Sequence, residues 1–446
     1  MIYDCIIVGA GAAGLFAGAR FDMAVTGLIL EKTSRAGTKL LMSGGGQCNI
    51  THAGSIKDFI SRYGKKGGRI RSCLYKHNNL ELMAFLEENG IPTVTQEEDG
   101  RVFPASGKAQ DIRDLLVRKS QENGFEIAYG QEVTGICWIP AEEIGDGQSH
   151  DSHSASAWDP CLSDPGTSTS ATRPGDPSQD IPACWELTTS KTTFRARTVI
   201  LASGGCSYPK TGSDGQLFSV LQRDLNLEIT PLQPALTPIR VQNYPYAELA
   251  GISFADCRIR LLRAQKKIAE TNGGLLFTHR DFSGPAILNL SKEAQPGDTL
   301  VIDYLSAPQD ETASRLQKAV EKSHAELPAI LTNTFGLPKR FSHLLVSRIG
   351  HSTKALAAAL TGDRFTITSL SGFEKAMVTS GGIDLAQIDL KTMALKHHPG
   401  LFVCGEMLDI DGSTGGYNLQ FAYASGCTAA ESALSTLSDG TCRTHP

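Results

Sequence analysis

The sequence contains no C-x-x-C pair, although it has eleven cysteines, at 5, 48, 73, 137, 161, 184, 206, 257, 404, 427 and 442. That spacing excludes a zinc ribbon and a redox dithiol, and the odd number argues against a secreted disulfide framework. No uninterrupted apolar run reaches about 18 residues, so no membrane-spanning helix is expected. The apolar stretch Cys5–Ala19 does not read as a signal peptide, because Asp4 stands where a basic n-region should be and glycine recurs at 9, 11, 14 and 18. A dominant charge is missing too. Lys and Arg number 42 against 47 Asp and Glu, a net charge of −5 that sets no general attraction to nucleic acid or anionic membrane. At 41% hydrophobic and 20% charged, the chain is not wholly disordered. Its 446 residues allow roughly three domains of about 150 residues and a core that needs neither disulfide nor metal. The expectation is a soluble, cytoplasmic, multidomain protein.

The opening reads strand, glycine turn, helix, strand. Tyr3–Val8 is a β-branched apolar run of the kind buried in a parallel sheet, Ala12–Phe21 is rich in helix formers, and Thr26–Leu30 is a second buried strand ending at Glu31. Helical periodicity returns at Asn79–Asn89 and at Ala109–Asn123, the latter stopped by Gly124. Phe125–Trp138 and Trp185–Thr198 read as strands flanking Gly145–Pro182, where 26 of 38 residues are Gly, Pro, Ser, Thr or Asp. Such a segment cannot bury enough apolar area to offset its ordering entropy, so a disordered-like loop is expected there, with Trp158 and Cys161 incidental. From Pro231 to Leu305, proline-punctuated strands such as Cys257–Leu262 and Thr299–Tyr304 suggest a small antiparallel barrel. Ala307–Leu360 is amphipathic and helical, Phe365–Thr368 is a returning strand, and Leu401–Cys404 with the helical run Asn418–Leu437 resumes α/β character. The fold class expected is α/β: a discontinuous Rossmann-like domain (1–207 and 381–446) with a nested β-barrel insertion (208–306 and 364–380) and a helical insertion (307–363).

Gly9-Ala10-Gly11-Ala12-Ala13-Gly14 fits G-x-G-x-x-G, and Glu31 lies twenty residues after Gly11. Gly9 permits the tight turn, Gly11 lets backbone approach a pyrophosphate, and Gly14 lets the helix pack close to the strand, its partial positive end facing the phosphates. Glu31 is placed to accept from ribose hydroxyls and would repel a 2′-phosphate. FAD is favoured over NAD in this site by the C-terminal part of the chain. Leu401–Glu406 is a buried strand ending in Gly405 and Glu406, suited to ribityl hydroxyls. Gly415–Gln420 opens a helix whose N-terminus would stabilise negative charge at a flavin N1–C2=O edge.

Several motifs together resemble the BaiN/YhiN-like family of FAD-dependent oxidoreductases. They are Glu31-Lys32 through Gly37-Thr38-Lys39; Ser43-Gly44-Gly45-Gly46-Gln47-Cys48-Asn49-Ile50-Thr51; Gly100–Pro104 with Lys108-Ala109; Ala202–Gly205 with Thr211-Gly212; Phe277–His279 with Ser283–Pro285; Thr379–Gly382; and Gly405–Gly426. The resemblance covers nearly the whole chain except Gly145–Pro182. It implies bound FAD and the two nested insertions, with Gln47 standing where Arg is the family's residue. It also implies NAD(P)H-linked reduction of enone-containing steroids such as bile acid intermediates, or amine oxidation.

The FAD-contacting residues expected from motifs and resemblance are Gly9, Gly11, Ala12, Ala13, Gly14, Glu31, Lys32, Lys39, Ser43, Gly44, Gly45, Gly46, Cys48, Asn49, Val133, Gly204, Gly205, Gly405, Glu406, Gly415, Gly416, Asn418 and Leu419. NAD(P)H is expected as a transient co-substrate, since no second G-x-G-x-x-G is present, and no metal is expected. His279 is the proton-donor candidate, or else a hydrogen-bonded structural histidine. Cys48 reads either as a flavin-adjacent thiol or as a buried inert one. Tyr208 and Tyr417 are further acids or packing residues, and Arg101 clamps a carboxylate or pairs with Glu97, Glu98 or Asp99. Arg62, Lys65, Lys66, Arg69, Arg71 and Lys76 form a basic cluster that reads as a solvated face, a phosphate landing site or an RNA patch. The leading expectation is hydride transfer through flavin N5 to an activated C=C of a small molecule, with no nucleic acid or membrane partner. An amine-type oxidase using dioxygen and a non-catalytic regulatory or RNA-associated flavoprotein stand as alternatives.

Overall fold

The computed structural model describes residues 1–21, 25–141 and 183–438. The Gly145–Pro182 segment expected to be a loop, with Trp158 and Cys161, lies outside the described residues.

Three consecutive elements found the structure: β1 (Ile2–Val8), α1 (Ala12–Arg20) and β2 (Gly27–Glu31). β1 pairs in parallel with β2 on one side and with Thr193–Leu201 on the other, and β2 pairs in parallel with Phe125–Tyr129. Leu401–Val403 then joins Thr193–Leu201, so the chain's last strands complete a nine-stranded sheet begun by its first. Parallel strands buried on both faces need apolar side chains throughout, and Cys5–Val8 and Gly27–Glu31 are buried without a break. α1 and the final helix, Tyr417–Ser438, pack on this sheet. Their crossing is close because the residues are small: a Cβ on Gly426 would lie 2.6 Å from the Ala13 carbonyl oxygen.

Phe125–Trp138, expected as one strand, is two. Phe125–Tyr129 belongs to the parallel sheet, the chain turns at Gly130 (φ +66°), and Val133–Ile139 starts an antiparallel hairpin with Cys184–Thr189. Gln216–Leu225 is a helix whose Leu217, Phe218, Leu221 and Leu225 share the core of the nucleotide-binding sheet, which therefore extends to Leu227.

The insertion contains a closed six-stranded antiparallel barrel built from Ile239–Val241, Ser253–Arg263, Lys266–Phe277, Phe282–Ser283, Thr299–Asp303 and Asp363–Leu370. Ile229–Ala235 lies outside it and pairs with Val378–Ile383, forming a two-stranded ribbon where the chain enters and leaves. Four helices between Gln309 and Gly362 share one core with the barrel: Leu316, Leu331, Phe341 and Leu356 pack with Ile259, Phe277 and Leu300. At its centre, Asp363 accepts from the hydroxyls of Tyr246 (2.7 Å) and Tyr304 (3.1 Å) and pairs with Arg348 (2.5 Å). Among the described residues, no helix is long and apolar enough to cross a membrane.

Candidate functional site

A cavity of about 950 Å³ runs along the carboxyl ends of β1 and β2 and on to the face of the barrel. Ligands of open α/β sheets bind at that edge of the strands, where loops and helix N-termini meet.

One end is built by the glycine turn. Gly9 has φ +105°, and a Cβ there would lie 2.7 Å from the Ala202 carbonyl oxygen, so only glycine fits between β1 and Thr193–Leu201. Gly11 precedes α1 with no side chain capping the helix, leaving first-turn N–H groups at the cavity wall with Ala12 and Ala13. Glu31 is buried at the end of β2. Its Oε2 accepts from the Ala10 N–H (2.9 Å), and its Oε1 accepts from the Thr33 N–H and hydroxyl (2.8 Å each). Lys32 is held by Glu132 (2.8 Å) and Asp214.

The middle is held by one ionic hub. Lys39 donates to Glu406 (2.6 Å) and to Ser207 (2.9 Å); Glu406 also accepts from the Ser207 hydroxyl and the Thr379 N–H, both at 2.7 Å. Ser43, Gly44, Gly45 and Asn49 line the neighbouring wall, together with Val133 and Gly204.

The other end is the start of the final helix. Gly416 has φ +95°, and a Cβ on it would sit 2.4 Å from the Thr51 carbonyl oxygen. The Asn49 amide bridges the same junction, donating to the Thr51 carbonyl (2.9 Å) and accepting from the Gly416 N–H (3.0 Å). The Asn418 side chain is occupied locally: Oδ1 accepts from the Gly412 N–H (2.7 Å) and Nδ2 donates to the Gly412 carbonyl (3.1 Å). These bonds shape the loop, and Gly415, Gly416, Asn418 and Leu419 all line the cavity.

Five of the expected contact residues do not line the cavity. Gly14, Gly205 and Gly405 are packing positions: a Cβ would meet the Gly9 carbonyl at 2.0 Å, Thr379 Oγ1 at 2.3 Å and Ala13 Cβ at 2.7 Å respectively. Gly46 serves the turn behind the wall. Cys48 is fully buried, and burial pushes its thiol up to about 12.

His279 is exposed on the turn between Phe277 and Phe282 and does not reach the cavity wall. The turn is set by its neighbours, with the Thr278 hydroxyl donating to the Asp281 carbonyl (2.8 Å). Tyr208 and Tyr417 both line the cavity. Burial raises the pKa of each, opposed at Tyr417 by the Arg62 guanidinium. Arg101 is at the rim, paired with Asp99 (2.6 Å). Of the basic cluster, Lys66 pairs with Asp409 and Lys76 with Glu431, Arg62 lines the cavity, and Lys65, Arg69 and Arg71 are exposed. His52, Leu276 and Leu288 line the cavity without any sequence signal for a site role, and they are joined there by Arg62 of the basic cluster and Pro285 of the Ser283–Pro285 motif. Among the described residues no cluster of His, Cys, Asp and Glu is arranged to hold a metal.

The glycine turn, the acid closing β2 and a second helix start on the same cavity define a Rossmann-type flavoprotein oxidoreductase. The chain belongs to the HI0933-like family: the model of the HI0933-like protein Rossmann domain matches residues 3–157 and 178–432. The chain is 27% identical over 441 residues to a ribosomal RNA dihydrouridine synthase of Haemophilus influenzae, spanning 95% of this chain and 97% of that protein. It is 26% identical to the 3-dehydro-bile acid delta(4,6)-reductase of Clostridium scindens (96% and 98%). A ribosomal RNA dihydrouridine synthase of Escherichia coli is 25% identical (98% and 99%).

Proposed function

We propose that the protein is a reductase of a carbon–carbon double bond conjugated to a carbonyl group, working with FAD and drawing electrons from NAD(P)H. The observation that carries this reading is the division of the cavity. Part of its lining is the glycine turn, helix start and strand-end acid expected of a dinucleotide site, and another part is apolar side chains of the insertion, Leu236, Leu276, Pro285, Leu288 and Met377. The relatives' names fit one chemistry. A delta(4,6)-reductase and a dihydrouridine synthase both saturate a C=C conjugated to a carbonyl.

The residues present fit FAD. Glu31 would hold the adenosine ribose, the first turn of α1 with Gly44 and Gly45 would hold the pyrophosphate, and Gly415–Leu419 would meet the pyrimidine edge of the ring. When bound, FAD supplies a two-electron carrier that accepts and gives up hydride. The chain's part is electrostatic and spatial. N–H groups at the start of the final helix favour negative charge, Lys39 is neutralised by Glu406 so that it adds no stray field, and the apolar wall keeps water from the acceptor. The test is anaerobic mixing of the FAD-loaded protein with NADH or NADPH, then with cyclohexenone. Loss of the flavin's visible absorbance followed by its return on adding the enone is the expected result. A reduced protein that only dioxygen reoxidises would sink the reading.

A second acceptor of the same chemistry is a uracil ring in RNA. The observation favouring it is Arg62 at the cavity with exposed Lys65, Arg69 and Arg71 following it. RNA binding through these cations would weaken steeply with salt, and substituting the last three by Ala would flatten that slope.

A further inference from the structure

Five Lys or Arg side chains line the cavity. Lys32 is paired with Glu132 and Asp214, Lys39 with Glu406, and Arg101 with Asp99. Arg35 belongs to the adenosine end, where its N–H and carbonyl meet the Thr33 hydroxyl. Arg62 is at the opposite end, and among the described residues its guanidinium makes no ion pair.

The position of Arg62 is built. It ends the helix Ile56–Arg62, and its carbonyl accepts from the Ser413 N–H (2.9 Å) and hydroxyl (3.1 Å), tying it to the loop before the final helix. Its guanidinium carbon lies 5.6 Å from the centroid of the Tyr417 ring, which stacks on His52 at 5.3 Å and 21°. His52 is locked in turn, with Nε2 2.8 Å from the Asp99 carbonyl oxygen and Nδ1 accepting from the Gly54 N–H (2.9 Å). Both ring nitrogens are within hydrogen-bond reach of backbone partners, so His52 is held in place as a platform for the Tyr417 ring. The stack, with a hydrogen bond from the guanidinium to the Tyr417 side chain, fixes Arg62 in direction and leaves the rest of its five donors without a carboxylate partner.

We propose that Arg62 receives the carbonyl oxygen of the acceptor, making it both a specificity determinant and the group that stabilises the oxyanion formed on reduction. The inference rests on the reductase reading and deepens it: the acceptor is a planar, largely apolar conjugated carbonyl compound with its oxygen at Arg62 and its body against Leu276, Pro285 and Leu288. The electron count requires such a group. Hydride adds to the β-carbon, the alkene pair becomes the bond between the α-carbon and the carbonyl carbon, and the carbonyl pair moves onto oxygen. A solvent proton on the α-carbon then restores the carbonyl. The acceptor gains one hydride, which carries the two electrons, and one proton, and one reduced nicotinamide leaves oxidised. A donor set aimed at the developing oxyanion contributes about 10²–10³ in rate.

The test uses para-chlorophenol, whose phenolate is a stable planar oxyanion, titrated into FAD-loaded protein and followed by long-wavelength charge-transfer absorbance. Arg62→Gln should weaken phenolate binding about tenfold or more, a loss of about 1.4 kcal/mol per tenfold. Arg62→Lys should restore part of it, and both should keep wild-type flavin content and melting, because the side chain is exposed and leaves no cavity. Turnover of cyclohexenone by Arg62→Gln should fall by about 100-fold through kcat. An Arg62→Gln protein that binds phenolate like wild type overturns the inference whatever its turnover. A wild-type protein that binds phenolate through Arg62 but reduces no conjugated alkene overturns the reductase reading alone and leaves the oxyanion site standing.

Discussion

A carboxylate at the end of a Rossmann strand can serve a ligand only if the fold leaves it an acceptor site. Ionised Glu31 has about four lone-pair positions and spends three, on the Ala10 N–H and on the N–H and hydroxyl of Thr33. With Glu31 on the cavity wall, one is left for a ligand. A hydrogen bond to a charged group contributes about 1.5–3 kcal/mol, so Glu31→Ala should raise the FAD dissociation constant by about ten- to a hundredfold. Flavin fluorescence titration of the apoprotein reads this directly, and an unchanged constant would remove Glu31 from the site. Cys48 gives the opposite expectation. With its thiol pushed up to about 12 by burial, it should resist alkylation in the folded protein near neutral pH, and Cys48→Ala should still load FAD. The contrast shows what a sequence can say about single residues. Gly9, Gly11 and Glu31 were legible because local backbone geometry dictates their placement. Cys48 sits between Gly45 and Asn49, both on the wall, and only the left-handed turn at Cys48 (φ +62°) decides that its side chain points inward. His52 reaches the site by tertiary packing alone, which no local pattern encodes, and the same packing picks Arg62 out of its basic cluster.

Between elements, a charged junction ties α1 and the final helix to Arg71–Lys76 and Asn79–Glu88, outside the cavity. Arg20 meets Glu431 (2.6 Å) and Glu81 (3.2 Å), Lys76 pairs with Glu431 (2.5 Å), and the imidazole of His77 lies 3.0 Å from Glu81 and 3.3 Å from Glu431. Burial disfavours the imidazolium, yet the two carboxylates outweigh it and raise the His77 pKa above its ordinary value. Burial likewise works against ionised Glu431, but His77, Lys76 and Arg20 hold it far below the carboxylate range. The signs fix the pH window. The His77 contribution is complete below its unfolded pKa near 6.5 and is lost as pH rises through the higher folded value. The Glu431 contribution is complete above its unfolded pKa and is lost only in strong acid. Thermal melting of wild type should therefore decline from about pH 6.5 upward by an increment that His77→Asn lacks; parallel profiles would refute the junction's role. Glu431→Gln should cost about 1–3 kcal/mol, discounted from the 3–5 of a fully buried pair because Glu431 is partly exposed. Three of the four elements were visible, in the helix formers of Ala12–Phe21 and the periodicity of Asn79–Asn89 and Asn418–Leu437, while the short helix Arg71–Lys76 was not. The break at Gly130 and the ribbon of Ile229–Ala235 with Val378–Ile383 were not, since both depend on which strand a segment meets.

For the whole molecule, the cavity belongs to two cores at once. The nucleotide-binding sheet and the barrel with its helices each close on their own hydrophobic cluster, and a small third cluster of Ala235, Leu236, Leu288 and Val378 lies at their junction, three of its members lining the cavity. The barrel also grips the loop that precedes the final helix. Asn289 accepts from the Thr414 N–H (2.9 Å), and Lys292 reaches the Asp411 carboxylate (2.5 Å) and carbonyl (3.0 Å) and the Gly412 carbonyl (3.3 Å). Anything that orders this loop is therefore felt by the barrel. Calorimetry of the apoprotein should resolve two transitions, one per core, and FAD at 100 times its dissociation constant should stabilise the nucleotide-binding core by about 2.7 kcal/mol. The barrel transition should rise with it, by less. Lys292→Met should keep both transitions but abolish the rise of the second, because the ion pair that transmits the loop's ordering is gone while the barrel core is untouched. If the barrel of Lys292→Met still follows FAD, the coupling runs through the ribbon of Ile229–Ala235 and Val378–Ile383, whose backbone bonds would then have to be the mechanical link between the two cores.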